Sequence, residues 1–365
     1  MRKLKIGILG TRGIPNNYGG FEQFAQQLSA GLVQRGHQVW VYNSHRHPYK
    51  EKDWEGVQII HCRDWEYRLG TWGQFFYDRN CINDARKRDF DILLHFGYTS
   101  DSIWHRQWPR KAINIVNMDG LEWKRKKYSR FTQRFLKWAE SLAVKHADVL
   151  IADSLAIQKH IKDIYNKQPV FIPYGATIFT NPDPRYLEKF KLKPKSYYLV
   201  LARIEPENNI EMIVKGWMAS KTDHPLLVIG NTSTRFGKYI TVNYTSPDII
   251  YAGTVYETEL LNNLRYFSLS YFHGHSAGGT NPSLLEAMAC GCSIAAHDNV
   301  FNKVVLGEEA DYFSSVADLA AIINNPKELF QIAQRESINK EKIRTIYDPE
   351  KIVDAYVKLI LNASS

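Results

Sequence analysis

The chain has 365 residues, of which 44% are hydrophobic and 23% charged, an average composition for a globular protein that excludes disorder, collagen and coiled coils. No apolar run reaches the length of about eighteen residues that spans a bilayer. The 47 Lys and Arg outnumber the 38 Asp and Glu, and the resulting net charge of +9 favours nucleic acid, a phosphorylated substrate or an acidic membrane as partner.

Short apolar runs alternate with segments of helical spacing, and this alternation predicts parallel sheets with helices on both faces. The first series of predicted strands is 4–9, 38–42, 57–61, 91–96, 112–117 and 149–152, and helices such as 21–35 and 130–146 lie between them. The second series is 197–202, 226–229, 249–252, 269–272 and 293–296. The N-terminal run is expected to be a first strand and not a signal peptide.

The Pro- and Gly-rich stretch 172–184 divides the two series. We therefore expect an α/β protein with two Rossmann-like domains, 1–175 and 176–348, facing a central cleft, with ligands beyond the carboxyl ends of the strands. The amphipathic last segment, about 349–365, is expected to form a helix that packs back on the N-terminal domain.

The first predicted strand runs into a glycine-rich loop, 10–20, and then into a helix, which is the geometry of a phosphate site. The spacing is not G-x-G-x-x-G, the second strand ends at Tyr42-Asn43 without an acidic residue, and no P-loop pattern occurs. A dehydrogenase and a P-loop enzyme are therefore disfavoured. The alternative is a turn that serves only strand–helix packing.

The motif Gly19-Gly20-Phe21-Glu22, followed by Arg35-Gly36-His37, resembles the opening of retaining glycosyltransferases of family 4, which have the GT-B fold. The resemblance implies that the amides of Gly19 and Gly20 approach the donor phosphate or the acceptor. It also implies an Arg that embraces the donor diphosphate, here Arg203, and a Lys five residues later, where this chain has Asn208. The alternative for Arg203 is a surface residue paired with a nearby Glu.

The stretch Pro282–Gly291 also matches this family closely, and Glu286 then accepts hydrogen bonds from both ribose hydroxyls of the nucleotide. The family's first Glu is replaced by Gly278. The segment Gly278-Gly279-Thr280-Asn281 still predicts a backbone cradle for an anion ahead of a helix, and these residues are assigned to the donor. His275 is expected near the donor, with a metal or a structural role for His273 and His275 as alternatives.

On the acceptor side, the resemblance implies that a residue near the end of the predicted strand 112–117 reaches toward the donor sugar. Asp119 is the candidate, and it either binds a donor hydroxyl or acts as a base. The alternative is that Asp119 caps the following helix. Glu122 and Trp123 are expected to line the acceptor pocket. Asp89 and Asp91 form a D-x-D that is interpreted as a solvated strand entry, and neither this motif nor the scattered cysteines predict a metal site or a cofactor.

The most basic segment, 123–138, carries Tyr128, Phe131, Phe135 and Trp138 at helical spacing. It predicts contact with an anionic membrane, with a solvated helix and nucleic acid as alternatives, of which nucleic acid lacks a recognition motif.

Taken together, the motifs of residues 4–300 resemble bacterial rhamnosyltransferases of capsule and cell-wall polysaccharide assembly, with an N-terminal domain of the type called DUF1972. The resemblance implies dTDP-L-rhamnose as donor, UDP- or GDP-sugars being possible, and a polyprenyl-diphosphate-linked saccharide as acceptor. The expected protein is a metal-independent, cytoplasmic and membrane-peripheral transferase in which Asp119 and Arg203 are catalytic. A nucleotide-sugar epimerase and a non-catalytic nucleotide-sugar-binding protein remain open.

Overall fold

The computed structural model describes residues 2–17, 19–125, 128–276 and 278–364. The chain divides into two compact units. The first unit contains the residues before Arg125, the segment Tyr128–Tyr174 and the residues from Pro349 onward. The second contains Gly175–Asp348, and Arg125 groups with it.

The first unit is built on an eight-stranded sheet. Its strands are β1 (Lys5–Leu9), β2 (Gln38–Ser44), β3 (Asp53–Trp54), β4 (Val57–Cys62), β5 (Ile92–Phe96), β6 (Ile113–Asn117), β7 (Val149–Ala152) and β8 (Val170–Phe171), in the spatial order β3-β4-β2-β1-β5-β6-β7-β8. All neighbours pair in parallel except β3 and β4. The order reverses between β1 and β5, where the loops at the carboxyl ends diverge.

Helices flank this sheet, and those longer than four residues bury apolar side chains. They are α1 (Gly20–Gln34), α2 (Glu66–Leu69), α3 (Thr71–Ala85), α4 (Arg130–His146), α5 (Leu155–Tyr165) and, from the end of the chain, α13 (Pro349–Ala363). Two 3-10 turns lie at Ser102–Gln107 and Glu122–Lys124. Ser129 caps α4 by accepting the Thr132 N–H at 3.2 Å. Within the basic segment 123–138, the described residues include part of the second 3-10 turn and the first half of α4, and Tyr128 precedes this helix. Lys126 and Lys127 of that segment lie outside the described residues.

The second unit has a six-stranded parallel sheet. Its strands are β9 (Tyr198–Leu201), β10 (Leu226–Ile229), β11 (Ile249–Gly253), β12 (Ser270–His273), β13 (Ile294–His297) and β14 (Asp311–Phe313), in the order β11-β10-β9-β12-β13-β14. Its helices are α6 (Ile210–Met218), α7 (Arg235–Asn243), α8 (Thr258–Phe267), α9 (Pro282–Cys290), α10 (Val300–Leu306), α11 (Val316–Asn324) and α12 (Leu329–Thr345), with 3-10 turns at Pro184–Phe190 and Pro206–Asn208.

The predicted α/β class with two parallel sheets is confirmed, and each predicted strand lies within two residues of an observed one. The prediction misses β3, β8 and β14, which are two or three residues long and form the sheet edges. Such short pieces have no periodicity to detect. In the part of the chain that the structure describes, no helix is long and apolar enough to cross a bilayer.

Candidate active site

Two loops meet at the centre of the second sheet, because β9 and β12 are neighbours and the strand order reverses between them. The Asn209 side chain donates to the Gly274 carbonyl at 2.7 Å. Ser276 donates its N–H and its hydroxyl to the Glu207 carbonyl at 3.0 and 2.8 Å. The loops after β9 and β12 are thus bound to each other and form one surface at the carboxyl edge of the sheet.

Asn208 links this surface through both ends of its buried amide. Its Nδ2 donates to the Arg203 carbonyl at 2.7 Å, and its Oδ1 lies 2.9 Å from His275 Nδ1. Because the amide nitrogen is committed to a carbonyl, Oδ1 is the acceptor and His275 Nδ1 carries the proton. Asn208, at the position where the glycosyltransferases that the sequence resembles have a Lys, therefore holds the loop together, while the Arg203 side chain itself is exposed.

Burial, reinforced by the positive charges of Arg125 and Arg203, lowers the pKa of His275 to about 3. The imidazole is neutral at physiological pH, and with Nδ1 protonated its Nε2 presents a lone pair as hydrogen-bond acceptor.

Gly278 is required by its surroundings. Its φ of +145° is a conformation that side chains rarely adopt, and a Cβ atom there would lie 2.8 Å from His275 Nε2. The acidic residue that the family has at this position would therefore meet the imidazole ring. Gly279 and Thr280 follow it into α9, whose first turn is capped by the Asn281 side chain accepting the Ser283 N–H at 2.9 Å.

Glu286 on α9 is held by Arg265 of α8, a residue that the sequence analysis missed. Arg265 is 2% exposed, and its Nη2 donates to Glu286 Oε2 and, at 3.3 Å, to the Ser283 hydroxyl. The Glu286 side chain keeps 24% of its surface exposed. A buried guanidinium both orients the carboxylate and balances its charge. No local pattern could have identified Arg265, since one cation among the residues of an amphipathic helix predicts a solvated side chain.

His273 lies beside His275 at the end of β12, with 6.1 Å between the centroids of the two rings. Burial, followed by the neighbouring His275, lowers the pKa of His273 well below its ordinary value. Among the described residues, no group of three or more His, Cys, Asp and Glu side chains could hold a metal ion. All four cysteines are buried and unpaired, and burial raises the pKa of Cys290 to about 11.

In the first unit, buried side chains hold the glycine-rich loop. Asn43 at the end of β2 accepts the Ile14 N–H at 3.0 Å and donates to the Ile14 carbonyl at 2.7 Å. Glu22 accepts the Arg12 N–H at 3.0 Å. The residue that replaces the dinucleotide-binding carboxylate thus holds the loop that leads to Gly19, the N-cap of α1.

Asp119 follows β6 and is partly buried. It accepts the Tyr174 hydroxyl at 3.4 Å, and the Tyr174 ring packs on Phe21 and Phe24 of α1, with centroids 6.1 and 5.0 Å away. Burial and the Asp119 carboxylate raise the pKa of Tyr174 well above its ordinary value, so the hydroxyl stays a donor. Tyr174 thus connects Asp119 to the first turns of α1, which Gly20 begins.

Trp123 is engaged inside the first unit. Its indole N–H donates to buried Glu140 at 2.9 Å, and the ammonium groups of Lys124 and Lys137 lie 5.4 and 5.2 Å from its ring centroid. Trp123 therefore anchors the 3-10 turn that also contains Glu122.

Asp91 of the D-x-D motif accepts the Lys5 N–H at 2.7 Å at the amino edge of the sheet, opposite to the edge that carries Asp119.

Two Rossmann-like units with these parallel sheets make the GT-B fold, the fold of the glycosyltransferases that the chain resembles in structure. Sucrose-phosphate synthase from Thermosynechococcus elongatus superimposes with a TM-score of 0.83 at 14% identity over all of both chains. The Anabaena protein HepE, in complex with UDP-glucose, superimposes with a TM-score of 0.77 at 13% identity over 98% of this chain and 100% of that one.

In sequence, the chain is 23% identical over 328 residues to an uncharacterised glycosyltransferase of Methanocaldococcus jannaschii, covering 81% of each. Residues 108–177 match the family model described as a domain of unknown function, DUF1972. This match confirms the DUF1972 part of the resemblance and covers the segment that contains Asp119, Trp123 and Tyr174.

Proposed function

We propose that the protein is a retaining glycosyltransferase of family 4 that moves a sugar from a nucleoside diphosphate to a lipid-diphosphate-linked saccharide in surface polysaccharide synthesis. The observation that carries the proposal is the joined surface at β9 and β12. There an exposed Arg203, a neutral His275 and the start of α9 adjoin the strand-order reversal, and α9 carries Glu286 braced by Arg265. L-Rhamnose from dTDP-rhamnose is the favoured donor on the resemblance of the motif set.

The proposed donor contacts follow from the chemistry of these groups. The Glu286 carboxylate accepts both ribose hydroxyls, the planar guanidinium of Arg203 pairs with the diphosphate, and amides from Gly278 to Thr280 add hydrogen bonds at the positive end of α9. His275 Nε2 accepts a hydroxyl of the donor. Asn208 acts through Arg203 and His275 as a positioning residue.

The proposed reaction breaks the bond between the anomeric carbon and the diphosphate oxygen. The acceptor hydroxyl oxygen bonds to the same carbon on the same face, and its proton passes to the departing phosphate oxygen. Arg203 and the amides stabilise the negative charge that develops on the leaving group, without a metal ion. Asp119 binds a hydroxyl of the reacting sugar, or, as the alternative, it takes the acceptor proton in place of the phosphate oxygen. Glu122 and Trp123 border the acceptor.

The test begins with thermal stabilisation by dTDP-, UDP- and GDP-sugars, followed by transfer from the best donor to polyprenyl-diphosphate-linked saccharides. We expect Glu286→Gln to weaken donor binding by about 10- to 100-fold, because two hydrogen bonds to a charged group are weakened. Arg203→Ala should lower kcat as well as affinity. The control is Glu259→Gln, an exposed carboxylate on α8.

Three outcomes contradict the proposal. Unchanged donor affinity in Glu286→Gln removes the ribose assignment. Consumption of the donor without any acceptor identifies an epimerase. Donor binding without turnover on any lipid-linked acceptor identifies a non-catalytic binding protein.

A further inference from the structure

We propose that the first unit docks on an anionic lipid bilayer through one surface formed by α2, the start of α3 and α4. The proposed function gives only the reason for such binding, because a lipid-linked acceptor lies in a membrane; the surface itself is defined by its side chains. We call it the aromatic-basic surface, and its apolar members are Tyr67, Leu69, Trp72, Phe76, Phe131 and Trp138.

Large apolar side chains are exposed on both parts of this surface. Trp72 and Phe76 of α3 are 68% and 44% exposed, and Phe131 and Trp138 of α4 are 82% and 50% exposed. Trp72 and Phe76 are four residues apart, and Phe131 and Trp138 are seven residues apart, so each pair lies on one face of its helix. Contiguous exposed apolar side chains of this size mark an interaction site.

Ring contacts join the two helices into a single surface. Phe75 of α3 lies 5.6 Å from Trp72 and 5.8 Å from Phe135 of α4, measured between ring centroids. Phe135 in turn lies 5.7 Å from Trp138. The partly buried rings of Phe75 and Phe135 therefore connect the exposed Trp72 of α3 to the exposed Trp138 of α4, and this chain of four rings forms an aromatic platform.

The charges around this platform have one sign. Its exposed ionised side chains are Arg63, Arg68, Arg79, Arg130, Arg134 and Lys137. Of the acidic side chains in α2, α3 and α4, Asp78 and Glu140 are buried, Glu66 is paired with Arg12 at 2.7 Å, and Asp84 is paired with Arg88. A cationic rim around exposed aromatic rings matches the interface of a bilayer, where headgroups are anionic and Trp and Tyr accumulate.

A bilayer fits better than the other possible occupants. A second copy of the chain would bring two identical cationic rims together, because a two-fold interface pairs the same patch with itself. A nucleic acid would use the cations, but it offers no apolar layer for Leu69 and Phe131.

The experiment measures co-sedimentation of the full chain with vesicles of phosphatidylcholine alone and of phosphatidylcholine with phosphatidylglycerol, without any sugar nucleotide. We expect binding to the anionic vesicles that weakens with added salt. The double variant Trp72→Ser with Phe131→Ser, and separately Arg130→Glu with Arg134→Glu, should each lower the partition coefficient by about tenfold or more. All four side chains are exposed, so the fold is retained.

The matched control is Leu329→Ser with Phe330→Ser on α12, where the side chains are 84% and 77% exposed but lie in the other unit. Wild-type binding in this control supports the proposal. Absence of vesicle binding by the wild-type chain overturns it, as does a Trp72- and Phe131-dependent dimer in light scattering or a preference for nucleic acid over anionic vesicles. Failure of the proposed function would instead leave vesicle binding intact while abolishing donor stabilisation and transfer.

Discussion

At the scale of the residue, one imidazole explains two features of the second unit. His275 fills the space beside Gly278, so no side chain can stand there, and it needs the Oδ1 acceptor that Asn208 supplies. A Lys at position 208 would remove this acceptor, and a Glu at position 278 would meet the ring. Both differences from the pattern of family 4 are therefore explained by contacts with the same side chain, His275.

Arg265 acts on the proposed donor site by orienting Glu286. Replacing Arg265 should therefore lower nucleotide-sugar affinity in a protein that still folds. In Arg265→Met we expect nucleotide-sugar affinity to fall about tenfold, because the carboxylate loses the donor that orients it. Arg265→Lys should recover part of the loss. Calorimetric titration measures both, and in a double-mutant cycle with Glu286→Gln the effects should be non-additive. A folded Arg265→Met with wild-type affinity would refute the role, and Arg235→Met at an exposed position is the control.

Asp78 in α3 predicts a pH dependence of stability. Burial, followed by the nearby Asp101 carboxylate, raises its pKa to about 8. The folded state thus holds a proton that the unfolded chain releases near pH 4, and stability from this group falls as pH rises from about 4 to 8, by about 1.4 kcal/mol per unit. Asp78→Asn keeps the acceptor for the Ser100 hydroxyl and should be more stable at pH 8, with a flatter profile.

Urea unfolding from pH 5 to pH 8 measures the effect. Asp89→Asn, an exposed carboxylate close in sequence, should leave the profile unchanged. Equal slopes for Asp78→Asn and the wild-type chain would show that Asp78 is ionised throughout.

At the scale of the element, the packing of α13 on α1 makes a glycine in α1 more favourable than the alanine that helix propensity alone would prefer. Gly31 lies in α1, where Ala would ordinarily stabilise the helix by about 1 kcal/mol. A Cβ at this position would lie 2.7 and 2.9 Å from the two methyl groups of Val353 on α13, a side chain that is stiff about χ1. We therefore expect Gly31→Ala to destabilise the protein by about 1–3 kcal/mol in urea unfolding.

The second helix supplies the control. In Gly31→Ala combined with Val353→Ala, the added methyl group occupies the space that the valine leaves, so the double variant should lose less stability than the sum of the single changes. Strict additivity, or a gain of stability in Gly31→Ala, would mean that the two helices do not meet at this point.

At the scale of the whole molecule, the chain crosses to the second unit and then returns to the first. Tyr356 of α13 is fully buried, with its ring centroid 5.7 Å from that of Phe24, and Arg35 binds the carboxylates of Asp354 and Glu350 at 2.7 and 3.0 Å. The helix follows the second unit along the chain but completes the core of the first. Its amphipathic pattern predicts a helix with one apolar face, whereas the tertiary contacts determine which core covers that face.

Positively charged side chains occupy two different environments in the two units. In the first unit a series of exposed cations surrounds the aromatic platform of α3 and α4, while in the second unit Arg265 is buried against Glu286. The same side chain type thus serves a proposed membrane contact in one place and the positioning of a carboxylate in the other. Burial distinguishes the two, and burial is a property of the folded chain.

Local pattern determined most of the strands, their parallel arrangement and the glycine-rich loops, because periodicity and turn chemistry depend on residues close in the chain, and the resemblance to family 4 supplied the candidate carboxylate Glu286. Residues far apart in the chain decided the rest. Three contacts join segments from different elements: Arg265 with Glu286, Asn208 with His275, and Trp72 with Trp138 through the rings of Phe75 and Phe135. Hydrogen-bond partners and solvent exposure are set by these long-range contacts, and only the tertiary structure contains them.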